Sequence, residues 1–457
     1  MCFLYVCGTL VNSRADGLMY LIHTTMKKTL LKGKHVAFLL GSISLFAFMA
    51  CCSPKKQEPE PIVKPIVDPA FVPGEEETES NIITFVTEKP IGSTLALSFE
   101  LNEEGKDNPD LYFTRMQGLG DFSEVEKRGR RYWLFTITEP VIKIKGAIER
   151  LDLSIPTDVN LEKLEESNRI KSIVVSPTIY LKSLIYNNDD EEPTLGYVNV
   201  SKAPNLAYLL VPNGNLNKLD VTQNKKLVSL YCGNNGLTEL DLSQNALLKA
   251  LAVSNNVLKR LDVHHMTALS ILECAKCGLT ELNLTDNEKL SFIDVRGNAL
   301  TTLDVRNKPS LAAVEASDNK LKMVYFGKHN FLTNLDVSNN NLSLLDLSGL
   351  SALTYLECYR NELSKLNLSH SSKLCYVTCF ENKIQGKAMN DMMRSLPTSE
   401  QEAKIAVFNP MTKSECNVCL KSDVAEATRR NWTCYQVAKP FEASFFFARH
   451  GAVYEGK

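Results

Sequence analysis

The residues of this chain best suited to chemistry are acids and aromatic rings set at a fixed spacing. Glu273, Asp294, Glu315, Asp336 and Glu357 follow one another at intervals of 21 residues, and Tyr231 lies in the same series two steps earlier. Side chains at one position of successive stacked strands stand about 5 Å apart. Carboxylates that close repel, so the row makes a field that favours a basic partner or a cation. Without a ligand, the same row serves to keep a sheet surface soluble. Phe292, Tyr355 and Tyr376 form a neighbouring series, with Tyr359, Arg360 and Phe380 close by in sequence. Exposed rings beside Arg360 and Glu357 have the composition of a protein-interface anchor. The alternative is that a C-terminal helix over 388–395 packs on them.

Nothing adds a catalytic group to this surface. No HExxH, GxSxG or P-loop pattern occurs, and Gly118-Leu-Gly120 lacks the third glycine of a dinucleotide fingerprint. The seven histidines are scattered except for His264-His265, on a solvent-facing turn. Cys416-Asn-Val-Cys419 has zinc-type spacing, yet only Cys434 follows it. A disulfide from Cys434 to Cys416 or Cys419 is the better expectation there. The 51 basic and 53 acidic residues leave a net charge of −2, which gives no general attraction to nucleic acid. The chain reads as a binding protein, not an enzyme, with no cofactor and no metal.

The elements that must position these residues follow from one period. Leu206, Leu227, Leu248, Leu269, Leu290, Leu311, Leu332, Leu353 and Leu374 stand 21 residues apart, nine leucines without a break. Three places later come Leu209, Leu230, Leu251, Leu272, Ile293, Val314, Leu335, Leu356 and Val377. A second apolar series, including Leu216, Leu237 and Leu363, runs about half a period out of phase. Each unit thus supplies two L-x-x-L-x-φ half-turns, where φ is apolar, and each half-turn predicts a short strand. One coil cannot bury its own apolar side chains, so coils must stack. Nine coils make a rod of roughly 40 Å. Cys232, Cys274, Cys358 and Cys379 fall in the apolar columns and act as small core groups. Asn235, Asn256, Asn298, Asn319, Asn340, Asn361 and Asn382 mark the bends, with Gly214 and Cys277 as exceptions. The row Asp220, Asp241, Asp262, Asp304 and Asp346 reads as turn chemistry.

The flanks differ from the repeats. Lys27, Lys28, Lys32 and Lys34 precede an apolar run that ends at Ala50, before Cys51 and Cys52. This fits a secretory signal over 1–50, with Met26 as a clean start, better than a membrane span. Phe48-Met-Ala-Cys51 resembles the bacterial lipobox, with Phe48 where the family usually has Leu. The resemblance implies cleavage before Cys51, lipid on that residue and no membrane span afterwards. Residues 51–79 are rich in Pro and charge and read as a tether. Residues 80–147 read as a small β domain or N-terminal cap, with Trp133 and Phe135 in its core. Residues 148–384 form the solenoid, and 385–457 an αβαβ cap that closes its open end.

LVSLYCGNNGLTELDLSQNAL, the unit from Leu227, resembles a bacterial leucine-rich repeat of the 21-residue nested type. Its recurrent strand cysteine is similar to that of the internalin J group, and the lipobox form to surface lipoproteins of Bacteroidetes. The resemblance covers about half of the chain. It implies a leucine-rich-repeat right-handed solenoid with parallel strands, displayed on the cell envelope; the internalin J group is tied to cell walls, whereas the lipobox here implies a lipid anchor and exposure on the outer membrane. It also implies adhesion or surface recognition, with a protein ligand on a host or neighbouring cell; self-association in the envelope, and glycan capture by the aromatic end of the sheet, are the alternatives.

Overall fold

The computed structural model describes residues 80–102, 115–127, 130–154, 167–187, 193–438 and 451–457, with the backbone of strand Ile66–Val67. The signal segment, Cys51 and nearly all of the tether lie outside the described residues. By compactness these residues belong to one unit, 62–439 with 451–457.

Ten three-residue strands, from Ser183–Ile185 and Tyr208–Leu210 to Tyr376–Thr378, pair in parallel, each with the strand of the next coil. From Tyr208 onward the register advances by one repeat at every step, as with Leu209, Leu230 and Leu251. The central residue of each strand points inward, so the predicted columns are the core: Leu209, Leu230, Leu251, Leu272 and Val314 are fully buried. The strand cysteines Cys232, Cys274, Cys358 and Cys379 are fully buried too. A leucine-rich-repeat solenoid is therefore the architecture. One expectation needs correction. The out-of-phase half-turns form ladder strands only at Ile170–Val175, Tyr197–Asn199, Thr302–Asp304 and Met323–Tyr325 among the described residues. Asx turns bend the chain on this side of the coil, with or without a ladder strand before them.

Those turns are explicit. Asp220, Asp241 and Asp346 each accept, through Oδ1, the backbone N–H two residues on, at 2.9–3.0 Å. At the other bend, Asn298 Nδ2 donates to the carbonyls of Cys274 and Val295, and its Oδ1 accepts from Cys277 and Leu279, all at 2.9–3.0 Å. Cys277, where the repeat usually has Asn, donates its thiol to the Val253 carbonyl instead. The residue before each bend Asn is left-handed: Asn213, Asn234, Asn255, Lys276, Gly297, Asp318, Asn339, Arg360 and Glu381 all have φ between 50° and 66°. Asn and Asp tolerate that region, whereas long side chains are strained in it. A second buried amide series, Asn224, Asn245 and Asn287, binds carbonyls of the preceding coil.

Both ends are covered. Ile148–Asp152, at the start of the main sheet, pairs antiparallel with Thr94–Leu101. Ile170–Val175, on the other side of the coil, pairs antiparallel with Ile82–Thr87. The β segment before residue 148 thus extends both sides of the coil, and Trp133 and Phe135 are buried in it. Ile66–Val67, in the stretch read as tether, pairs in parallel with Arg115–Gln117 and so joins a sheet. At the far end, α1 (Lys387–Ser395) leads to strand Ala403–Phe408, and α2 (Lys421–Thr428) to strand Trp432–Val437. Met389, Met392 and Met393 of α1 are fully buried. An antiparallel strand, Gly451–Val453, then covers the last sheet edge.

Candidate binding surface

Because the strands are short and in register, the residues flanking each inward side chain form straight rows. Glu273, Asp294, Glu315, Asp336 and Glu357 are direct partners along one row. Phe292, Ala313, Asn334, Tyr355 and Tyr376 are partners along the next. The predicted acids are brought together.

Facing outward does not leave them exposed. Glu273 and Asp294 are 7% and 5% exposed, and Glu315, Asp336 and Glu357 are half-buried. In a parallel ladder each side chain is flanked by its row neighbours at about 4.8 Å, which covers its sides. Burial and Asp294 push the Glu273 carboxyl up to about 8, against a pull from Arg296. Burial and Asp336 take Glu315 to about 8 as well. Burial raises Asp336 in spite of hydrogen bonds from Ser338 and Ser317. Burial, then Asp336 and Glu315, raise Glu357 well above the usual range. The expected field of five full charges is thereby corrected. At neutral pH much of the row holds protons, because ionising it would set buried like charges side by side.

The structure adds residues that the sequence reading passed over. Arg296 donates to both carboxylate oxygens of Asp294, at 2.9 and 2.6 Å. Ser338 donates to Asp336 at 2.6 Å. Arg296, Ser317 and Ser338 sit 21 residues apart, two places after an acid, so the same period could have found them. Among the described residues, Glu273, Glu315 and Glu357 make no ion pair within 4 Å. Glu273 Oε1 is buried without a hydrogen-bond partner, as is Thr378 Oγ1 one step past Glu357.

The aromatic expectation is corrected too. Tyr231, Tyr359 and Tyr376 are 8%, 8% and 7% exposed, and Phe380 is fully buried. Tyr355 and Phe292 are half-buried. The rings cover one another across the ladder. Tyr355 stacks on Tyr376 with centroids 3.8 Å apart, and Tyr359 on Phe380 at 4.7 Å. Arg360 turns away to Glu381 at 3.2 Å. The disulfide expectation also fails: Cys416, Cys419 and Cys434 are free thiols, the first exposed and the other two buried.

Comparison with protein-family models and with curated proteins gives no match. Among solved structures, the chain is similar to the functional domain of InlJ from Listeria monocytogenes, which includes a cysteine ladder. The identity is 22%, with 60% of this chain and 76% of that one covered and a TM-score of 0.33. A Leptospira interrogans leucine-rich-repeat protein is 19% identical over 57% of this chain and 66% of that one, TM-score 0.43. YopM from Yersinia enterocolitica is 22% identical over 54% of this chain and 60% of that one, TM-score 0.39.

Proposed function

We propose that this protein is a non-enzymatic binding protein of the bacterial cell envelope, whose carboxyl ladder receives basic side chains of a protein partner. The observation that carries the reading is the in-register row from Glu273 to Glu357, with the unpaired, buried Glu273 Oε1 within it. A buried carboxyl that makes no hydrogen bond costs roughly 1–3 kcal/mol. An ammonium or guanidinium group set against the row would displace its protons and supply the missing donors. The stacked Tyr355 and Tyr376 border the row and offer ring edges to the stem of such a side chain. Glycan capture is less well supported, since the rings that would form a platform are stacked against one another.

Anchoring belongs to the same reading. Lipid on Cys51, with the Pro-rich stretch ahead of strand Ile66–Val67 as a spacer, would hold the solenoid at the outer membrane, facing outward. No helix of the described residues is long and apolar enough to cross a membrane.

Calorimetric titration with an oligolysine peptide tests the binding. Affinity should rise from pH 6 to pH 9 with proton release, and fall at least about tenfold in Glu315→Gln/Glu357→Gln. Equal binding by that variant refutes the reading. Protease treatment of intact cells tests the location: the wild type should be cleaved at the surface, and Cys51→Ser should leave the membrane fraction.

A further inference from the structure

A different cluster lies at the Asx-turn bend of the coil. In most coils the residue two places after the Asx closes the turn with its backbone N–H and carries a hydroxyl: Thr222 after Asp220, Ser243 after Asp241, Thr285 after Asn283, Ser348 after Asp346. Three coils depart from this: Arg306 follows Asp304, Gly327 follows Tyr325, and the third carries imidazoles. After Asp262 come His264 and His265, so one turn carries a carboxylate and two adjacent imidazoles.

Their geometry is convergent. One oxygen of Asp262 and one nitrogen of each ring lie within 4.8 Å of one another. His264 Nδ1 is 2.5 Å from Asp262 Oδ1. His265 Nε2–H donates to the Leu242 carbonyl of the preceding coil at 2.9 Å. That bond orients the ring and leaves Nδ1 with its lone pair, the arrangement usual for a metal-bound histidine. Asp241, Leu242 and Ser243 join the cluster in lining an open recess of about 320 Å³. This leaves room for an ion and its waters. Asp241 and Asp286, from the flanking coils, add negative charge beside His265 and His264.

We infer that Asp262, His264 and His265 form a binding site for one divalent ion of the zinc class, with water in the remaining coordination position. Two imidazole nitrogens and one carboxylate suit a borderline cation, whereas calcium and magnesium take oxygen sets. Three protein ligands leave an open position, and here it faces solvent. Binding exchanges the Asp262–His264 hydrogen bond for two bonds to the ion, and the proton on the His264 nitrogen passes to the buffer. The site is independent of the carboxyl ladder.

Titration of the full-length protein with zinc chloride at pH 7.5, in a buffer that does not chelate, tests this. One ion should bind per chain, Asp262→Asn should weaken binding at least about tenfold, and His264→Ala/His265→Ala should abolish it. Asp262 and His264 are exposed, and an unchanged metal-free melting curve would establish that the variants fold. Cobalt should give visible d–d bands without the near-ultraviolet band of thiolate ligation, which separates this site from Cys416, Cys419 and Cys434. Zinc binding that survives the double replacement, or a wild type that takes up no zinc, overturns the inference.

Discussion

Replacing Glu273 by Gln tests the physical account of the carboxyl ladder. The substitution keeps the shape of the side chain and removes its ionisation. Glu273 titrates at about 8 in the folded protein, against an ordinary 4.5. A carboxyl raised in this way binds more protons folded than unfolded between those two values. Its contribution to folding is therefore whole below pH 4.5, declines as pH rises and is lost above pH 8. The gap corresponds to ~5 kcal/mol at most. Relaxation of Arg296 towards an ionised Glu273 lowers this, and ~2 kcal/mol is a working figure. For a body of this size, that is roughly 2–3 °C in melting temperature. Thermal melts at pH 5 and pH 9 provide the assay. The wild type should lose more stability between the two than Glu273→Gln, by that amount, and the variant should be the more stable protein at pH 9. Parallel pH curves for the two proteins would refute the claim that Glu273 is held out of water beside Asp294.

Three further outcomes are expected. Asn298→Ala removes an amide that satisfies two carbonyls and two N–H groups at a bend, and should cost about 2–3 kcal/mol in denaturant unfolding. Lys276→Asn puts a residue that accepts the left-handed region where Lys276 has φ 53°; it should stabilise by about 1 kcal/mol, read as a higher midpoint. In native protein, Cys416 should react with a thiol reagent while Cys419 and Cys434 do not, because burial pushes both of the latter thiols up, Cys434 to about 12. Mass spectrometry of the labelled peptides would read this directly.

Much of the fold was legible in the residue order, because a rhythm repeated every 21 residues admits few solutions. Leu206, Leu209 and their successors had to face one core, and the bend asparagines had to satisfy backbone at the turns. The left-handed position ahead of each bend was harder to see, since Lys276, Arg360 and Glu381 share it with asparagine and only the backbone angle unites them. The pairing of Ile66–Val67 with Arg115–Gln117 could not be read at all, because it joins segments far apart in sequence with no shared pattern.

The candidate surface divides in the same way. The 21-residue period alone determined that Glu273, Asp294, Glu315, Asp336 and Glu357 would meet in one row. Only the tertiary structure decided their environment. The acids flank one another along their row, Arg296 turns to Asp294, and the tyrosines stack on each other. Alternation along a strand tells which side a residue faces, but exposure depends on the bulk and spacing of its neighbours on adjacent coils. The meeting of Asp262, His264 and His265 was likewise decided in three dimensions, because the carbonyl of Leu242 that orients His265 comes from another coil.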